Sequence, residues 1–409
     1  MKSVIKLVVF SFVVLLYSCD KPKHDLSNGI WRAALITESG AEIPFNFEVK
    51  DSASVLYVDI INGDNKLRVD EIIHHDDSVF MRLPFFDAEI KGTITDGKID
   101  GIYIKHLANR DVVMSFYAQH DISWRIKEKL AKPLYDITGK WETKFIKDQD
   151  TTLAIGIFKQ VDNKVTGTFL TKTGDYRFLE GVLDGDELIL STFDGGFSLL
   201  FTAKVNADST LSEGKYYSGF SSVKDFIAKK NENVKLEDAY SLTYLKDGYD
   251  KISFSFPDLN KKIVNLSDDR FKNKVVVIQL LGSWCPNCID ETAFLTSFQE
   301  ENNFNDVEIV GLAYERTTNF EKSKANLERI VKRFNVKYPI LITGYTSDKG
   351  EPAKSLPMLN HVMAFPTTII IDKKGNVNKI HTGFSGPGTG AAYEEYVTEF
   401  IKLINDLRS

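Results

Sequence analysis

At 409 residues, 43% hydrophobic and 26% charged, the chain has the composition of a globular protein with two or three domains rather than a fibrous or disordered one. A formal net charge of −6, with no long basic run beyond the first few residues, argues against nucleic acid as a partner. Only three cysteines occur, Cys19, Cys285 and Cys288, which excludes a scaffold held together by many disulfides and leaves one cysteine apart from one close pair.

The chain starts MKSVIKLVVFSFVVLLYSCD. Lys2 and Lys6 form a basic beginning, 7–16 an apolar core too short for a comfortable membrane span, and Ser18 a small residue before Cys19; together they read as an export signal. Its end, LYSC, resembles the lipobox of bacterial lipoproteins, with Tyr17 departing from the smaller residue usual there. The resemblance implies a signal peptide over 1–18, acylation of Cys19, and a lipid anchor on the periplasmic side of a bacterial membrane. A cleaved, unlipidated signal is the alternative. Residues 19–28 are polar and read as a tether.

From about 30 to 218, short apolar runs alternate with period two between turn pairs such as Asn62-Gly63, Asp96-Gly97, Asp184-Gly185 and Asp194-Gly195. In FSLLFTAKV, residues Phe197, Leu199, Phe201, Ala203 and Val205 share one face of an extended strand. The pattern predicts an all-β antiparallel region, and it is written twice. NGIWRAALI (28–36) matches TGKWETKFI (138–146), aligning Trp31 with Trp141, and Phe86-Asp87 answers Phe193-Asp194. Two β-rich repeats are therefore expected, at 29–135 and 136–220, each a barrel or half of a sandwich. The Gly-x-Trp opening is faintly similar to the lipocalin signature, but core packing is the better role for both tryptophans. Adjacent His74 and His75 would point to opposite faces of a strand, and His106 and His120 lack spaced partners, so no metal site is expected there. A connector rich in lysine and acidic residues, helical or irregular, is expected over 221–250.

The last domain is expected over 251–409. VVVIQLLGSW reads as a buried strand, and PNCIDETAFLTSFQEE as an amphipathic helix with Ile289, Ala293, Phe294, Ser297 and Phe298 on one stripe. Strand, Cys-Pro-x-Cys, then helix is what a redox dithiol needs. Cys285 would stand at the helix N-terminus, with Pro286 in the first turn, where unpaired N–H groups and the helix dipole favour a thiolate nucleophile. Cys288, one turn along, would resolve the mixed disulfide.

Trp284-Cys285-Pro286-Asn287-Cys288, Glu291, and AFPTTIIID (364–372) resemble the extracytoplasmic thioredoxin-like thiol-disulfide oxidoreductases of the TlpA and ResA kind. The resemblance covers roughly 252–409. It implies an α/β thioredoxin-like domain without a cofactor, Cys285 and Cys288 as the reacting pair, a cis Pro366 beside them, and Trp284, Pro286, Asn287 and Phe365 in contact with substrate. Gln279 stands where cytoplasmic thioredoxins carry a buried aspartate, which moves proton handling to Glu291; a solvated glutamate on a helix face is the alternative. His381 is expected to face away from the cysteines. The implied partners are disulfide-containing exported proteins and a membrane thiol transporter as electron donor. A zinc site lacks enough ligands. A peroxiredoxin-like antioxidant is a rival, although the Pro-x-x-x-Thr stretch before its cysteine is missing; so is a surface lipoprotein whose β units bind a ligand or partner, with the redox domain ancillary.

Overall fold

The computed structural model describes residues 25–52, 55–302, 304–348 and 350–409; the export signal and Cys19 lie outside them. Two antiparallel β units precede an α/β domain.

In the first unit nine strands run from Gly29 to His120, and Gly29–Ile36 pairs with both Glu42–Ser52 and Asp111–His120. The two edge strands, Asn65–Val69 and Glu71–His75, are separated in the chain by Asp70 alone, so the sheet rolls until its edges meet there. Asp96-Gly97 makes its tight hairpin with both residues left-handed, at φ 51° and 72°. In the second unit eight of nine strands close into a ring, because Asp150–Val161 pairs with both Gly139–Lys147 and Lys164–Thr171. The repeat is visible in detail. Trp31 and Trp141 are both buried, and each indole N–H donates to the carbonyl four residues back, Ser27 at 2.9 Å and Ile137 at 2.8 Å.

The expected connector needs correction, since Ser222–Lys230 is a strand that completes the second ring by pairing with Gly139–Lys147. Phe226 and Ala228 turn into the barrel while Asp225 and Lys229 face out, and this one-sided alternation is easily taken for a polar linker. His106 bonds Asp111, His120 bonds the Asn28 carbonyl, and no group of three or more His, Cys, Asp or Glu suited to a metal occurs among the described residues.

Buried Arg125, in the segment joining the units, ties them together. It donates to Ser191 Oγ, to the Ile61 carbonyl and to Asn62 Oδ1, each at 2.9 Å. Phe193 of the second unit packs on Phe45 of the first, with ring centroids 4.4 Å apart.

The last domain holds a five-stranded sheet in the order Ile340–Ile342, Val307–Ala313, Val275–Leu281, Thr367–Ile371, Val377–Thr382. Its first three strands are parallel and the last two antiparallel to their neighbours. Every residue of VVVIQLL is buried because both faces are covered. Val275, Val277 and Leu281 pack toward helices α1 (Pro286–Asn302), α2 (Phe320–Phe334) and α4 (Ala391–Arg408), while Val276, Ile278 and Leu280 pack toward Ile252, Phe254 and Leu359. The short α3 (Glu351–Ser355) lies between the third and fourth strands in sequence. Helix α1 is buried nearly all round rather than along one stripe, and Ser297, expected inside, is exposed. Its first turn packs against the second β unit through Asn287 and Asp290, and its next turns pack Phe294 and Phe298 on Phe400 of α4.

Candidate active site

Val275–Leu281 ends in the turn Gly282–Cys285, where the Cys285 N–H returns to the Gly282 carbonyl at 3.1 Å. Pro286 is the first residue of α1, so Cys285 occupies the capping position, where a proline next in line removes no needed hydrogen bond. The Cys288 N–H donates to Cys285 Sγ at 3.3 Å, and the Cys285 thiol donates to the Phe365 carbonyl at 3.4 Å. Both cysteines are free thiols, 4% and 0% exposed. The sulfur that could become a thiolate thus already receives a helix N–H.

The Phe365-Pro366 bond is cis. Phe365 also packs edge-on against Trp284, at 5.7 Å between centroids, and Trp284 is fixed by a hydrogen bond from its indole to the Tyr314 carbonyl at 3.0 Å. The Arg316 guanidinium lies over the Trp284 ring at 5.0 Å. Beneath the turn, Glu315 accepts from Ser283 N at 2.8 Å and Ser283 Oγ at 2.6 Å, and burial holds its carboxyl above the usual range.

Cys288 sits deeper. Burial, then its hydrogen bond with Cys285 and the charges of Cys285 and Glu291, push its thiol well above the ordinary value. Glu291 is fully buried, so a solvated helix face does not describe it. Thr368 Oγ1 donates to Oε1 at 2.5 Å, Gln279 Nε2 to Oε2 at 2.9 Å and Tyr396 OH to Oε1 at 3.4 Å. Burial outweighs these three donors and pushes the carboxyl up to about 7. The same Gln279 amide also reaches the Cys288 carbonyl at 3.3 Å, which links the carboxyl to the resolving cysteine's backbone. His381 bonds the Gly383 carbonyl between Tyr240 and Tyr396, and burial lowers it to about 4.

Two residues expected at a free substrate face are covered instead. Pro286 lies under Gly196 of the second β unit, and Asn287 Nδ2 donates to the Asp175 carbonyl of that unit at 3.2 Å. Several residues at the site carried no sequence signal of their own: Arg177, Asp175, Asp290, Glu315 and Arg316. Asp194, by contrast, stood in the repeated Phe-Asp pair.

A helix-capping thiol, a buried second thiol one turn on and a cis-proline loop closing over them, on a sheet flanked by helices, define a thioredoxin-like thiol-disulfide oxidoreductase. A family model described as Redoxin matches residues 249–397. The thiol-disulfide oxidoreductase ResA of Halalkalibacterium halodurans is 28% identical over 38% of this chain and 76% of its own length. ResA of Bacillus thuringiensis subsp. konkukian is 30% identical over 37% and 76%, and ResA of Bacillus subtilis 27% over 34% and 69%. The chain belongs to the ResA family of thiol-disulfide oxidoreductases.

Proposed function

We propose that the protein is a lipid-anchored reductase of disulfides in exported proteins, working outside the cytoplasm. The observation that carries the reading is the Cys285 sulfur, held at the start of α1 by the Cys288 N–H with the second thiol buried behind it. As a thiolate, Cys285 attacks a substrate disulfide; one substrate sulfur leaves as a thiolate and takes up a proton. Cys288, losing its proton, attacks Cys285 Sγ and expels the second substrate sulfur, leaving the pair oxidised and the substrate reduced by two electrons. Glu291 is the carboxylate placed to take part in that proton loss, since its charge acts on Cys288 and its own proton is held near neutral pH.

Pro366 and Phe365 present backbone to the incoming segment, and Trp284, packed edge-on against Phe365, flanks it. An exported dithiol in an oxidising compartment must be returned to the reduced form, which calls for a membrane thiol transporter as electron donor. Acylation of Cys19 would keep it near that donor.

Trapping tests this. In cells, Cys288→Ser should accumulate exported proteins disulfide-linked to Cys285, and Cys285→Ser/Cys288→Ser should not. The reading fails if no adduct forms while purified Cys288→Ser still exchanges with a small aromatic disulfide.

A further inference from the structure

Thiol-disulfide exchange requires a substrate sulfur in contact with the attacking sulfur, yet Cys285 is 4% exposed. The two residues that follow it, Pro286 and Asn287, are covered by the chain's own second β unit. One loop brings Gly174, in the left-handed half of backbone space at φ +139°, so close that a Cβ there would lie 2.7 Å from Asn287 Oδ1. The next residue, Asp175, accepts from Asn287 through its carbonyl and from the Gly386 N–H at 2.6 Å through its carboxylate. A second loop lays Gly196 on the active-site proline; a Cβ there would stand 2.8 Å from Pro286 Cγ and 2.9 Å from the Phe86 ring.

One side chain ties both loops to the active-site helix. Arg177 grips Asp290, two residues beyond Cys288, through Nε at 2.8 Å and Nη2 at 2.7 Å. Its Nη1 donates to Asp194 Oδ2 at 2.5 Å, and Asp194 Oδ1 in turn accepts from the Gly196 and Phe197 N–H groups at 2.8 and 2.6 Å. The three side chains are 8%, 12% and 6% exposed. A buried ion pair fixes position strongly while its desolvation cost offsets much of its attraction, so it can hold a contact in register without making it permanent.

We propose that Arg177 determines access to the redox site: its grip on Asp290 and Asp194 holds residues 173–177 and 194–197 over Pro286 and Asn287, beside Cys285, and a protein disulfide reaches Cys285 only when this clasp opens. This rests on the exchange chemistry proposed above and adds a gate to it. The β units are then part of the enzyme's selectivity, because a substrate must displace them and small reagents need only a brief opening.

The test is alkylation of reduced full-length protein in a Cys288→Ser background, where Cys285 is the reacting thiol of the site, comparing iodoacetamide with a maleimide on a polyethylene glycol chain. Rates are divided by those of the same chain in denaturant. Since reaction through a minor open state scales with its population, Arg177→Met should speed the bulky reagent about tenfold or more and iodoacetamide less. Gly196→Ala, which wedges the same loop without touching charge, should do likewise. Circular dichroism checks that each variant is folded, and with Cys288 restored the reduction potential of the pair should be unchanged. The proposal is overturned if the parent shows no protection from the bulky reagent, or if both folded variants leave the ratio of the two rates where it was. Its failure would leave trapping by Cys288→Ser intact, whereas a gate that opens as described without trapped substrate would count against the reductase reading alone.

Discussion

The two β units share a plan and differ in what they do with it. Both are antiparallel meanders rolled about a tryptophan whose indole locks the start of the first strand. The second seals a core of its own, where Phe145, Phe169, Phe201, Tyr216 and Phe226 pack ring on ring; Phe201 and Tyr216 stack at 4.5 Å. The first leaves its core open, so that buried residues run without a break from Trp31 through Phe85 and Phe86 to Cys285 and Ile289. Phe85 stacks on Phe334 of α2 at 5.5 Å. The repeated Phe-Asp pair makes the divergence specific. Phe86-Asp87 faces the redox domain through apolar packing and long contacts of Asp87 to Lys322 and Arg329, both 3.8 Å, whereas Asp194 anchors the Arg177 clasp. Two similar loops thus serve the redox domain differently, one as a foundation and the other as a cover.

The largest expected effect comes from the tryptophans. Replacing either by Ala should cost about 3–5 kcal/mol, as large-to-small core changes do. The comparison lies in where the loss appears. Trp31→Ala should weaken hydrogen-exchange protection of 275–281 together with the first unit, because that core is shared, while Trp141→Ala should expose the second unit first. Equal protection of 275–281 in both variants would erase the distinction drawn here.

A smaller contrast separates the two aspartates. Asp194→Asn removes a charge from a buried pair and should cost about 1–3 kcal/mol in denaturant unfolding while speeding bulky alkylation of Cys285. Asp87→Asn loses only long pairs with partly exposed partners and should cost under about 1 kcal/mol with no change in alkylation.

A last contrast is in pH. Burial raises Asp175, in the cover, to about 7, with Asp290 beside it adding to the shift, and burial raises Glu291, in the redox domain, to about 7. A carboxyl whose folded pKa lies above its unfolded one binds its proton more tightly in the folded state. Its stabilising contribution is therefore full below about pH 4 and lost as pH rises toward 7, by up to about 1.4 kcal/mol per unit for each group. Unfolding midpoints measured from pH 5 to 8 should fall, and Asp175→Asn and Glu291→Gln should each flatten the curve. A midpoint that rises across this range would contradict the assignment.

Much of this was legible from residues alone. Cys285 to Cys288, Glu291 and Pro366 are local patterns whose chemistry depends on spacing, and period-two alternation with Asp-Gly and Asn-Gly turns marked the β units. The final strand of the second barrel was missed because Lys224, Lys229 and Lys230 outweigh Phe226 and Ala228 in composition. The cover was illegible for a different reason. Arg177 meets Asp290 across 113 positions, and such a contact leaves no period in the sequence. Asn287 read as substrate-facing because nothing in the motif shows that another part of the chain already sits on it.

The most direct measurement is the reduction potential of the Cys285-Cys288 pair in the full chain, by equilibration with thioredoxin and glutathione buffers. A value near that of thioredoxin, about −270 mV or lower, is the expected result and fits a dithiol that donates electrons to exported proteins. A value near about −120 mV would make the pair an oxidant and contradict the direction of electron flow proposed here.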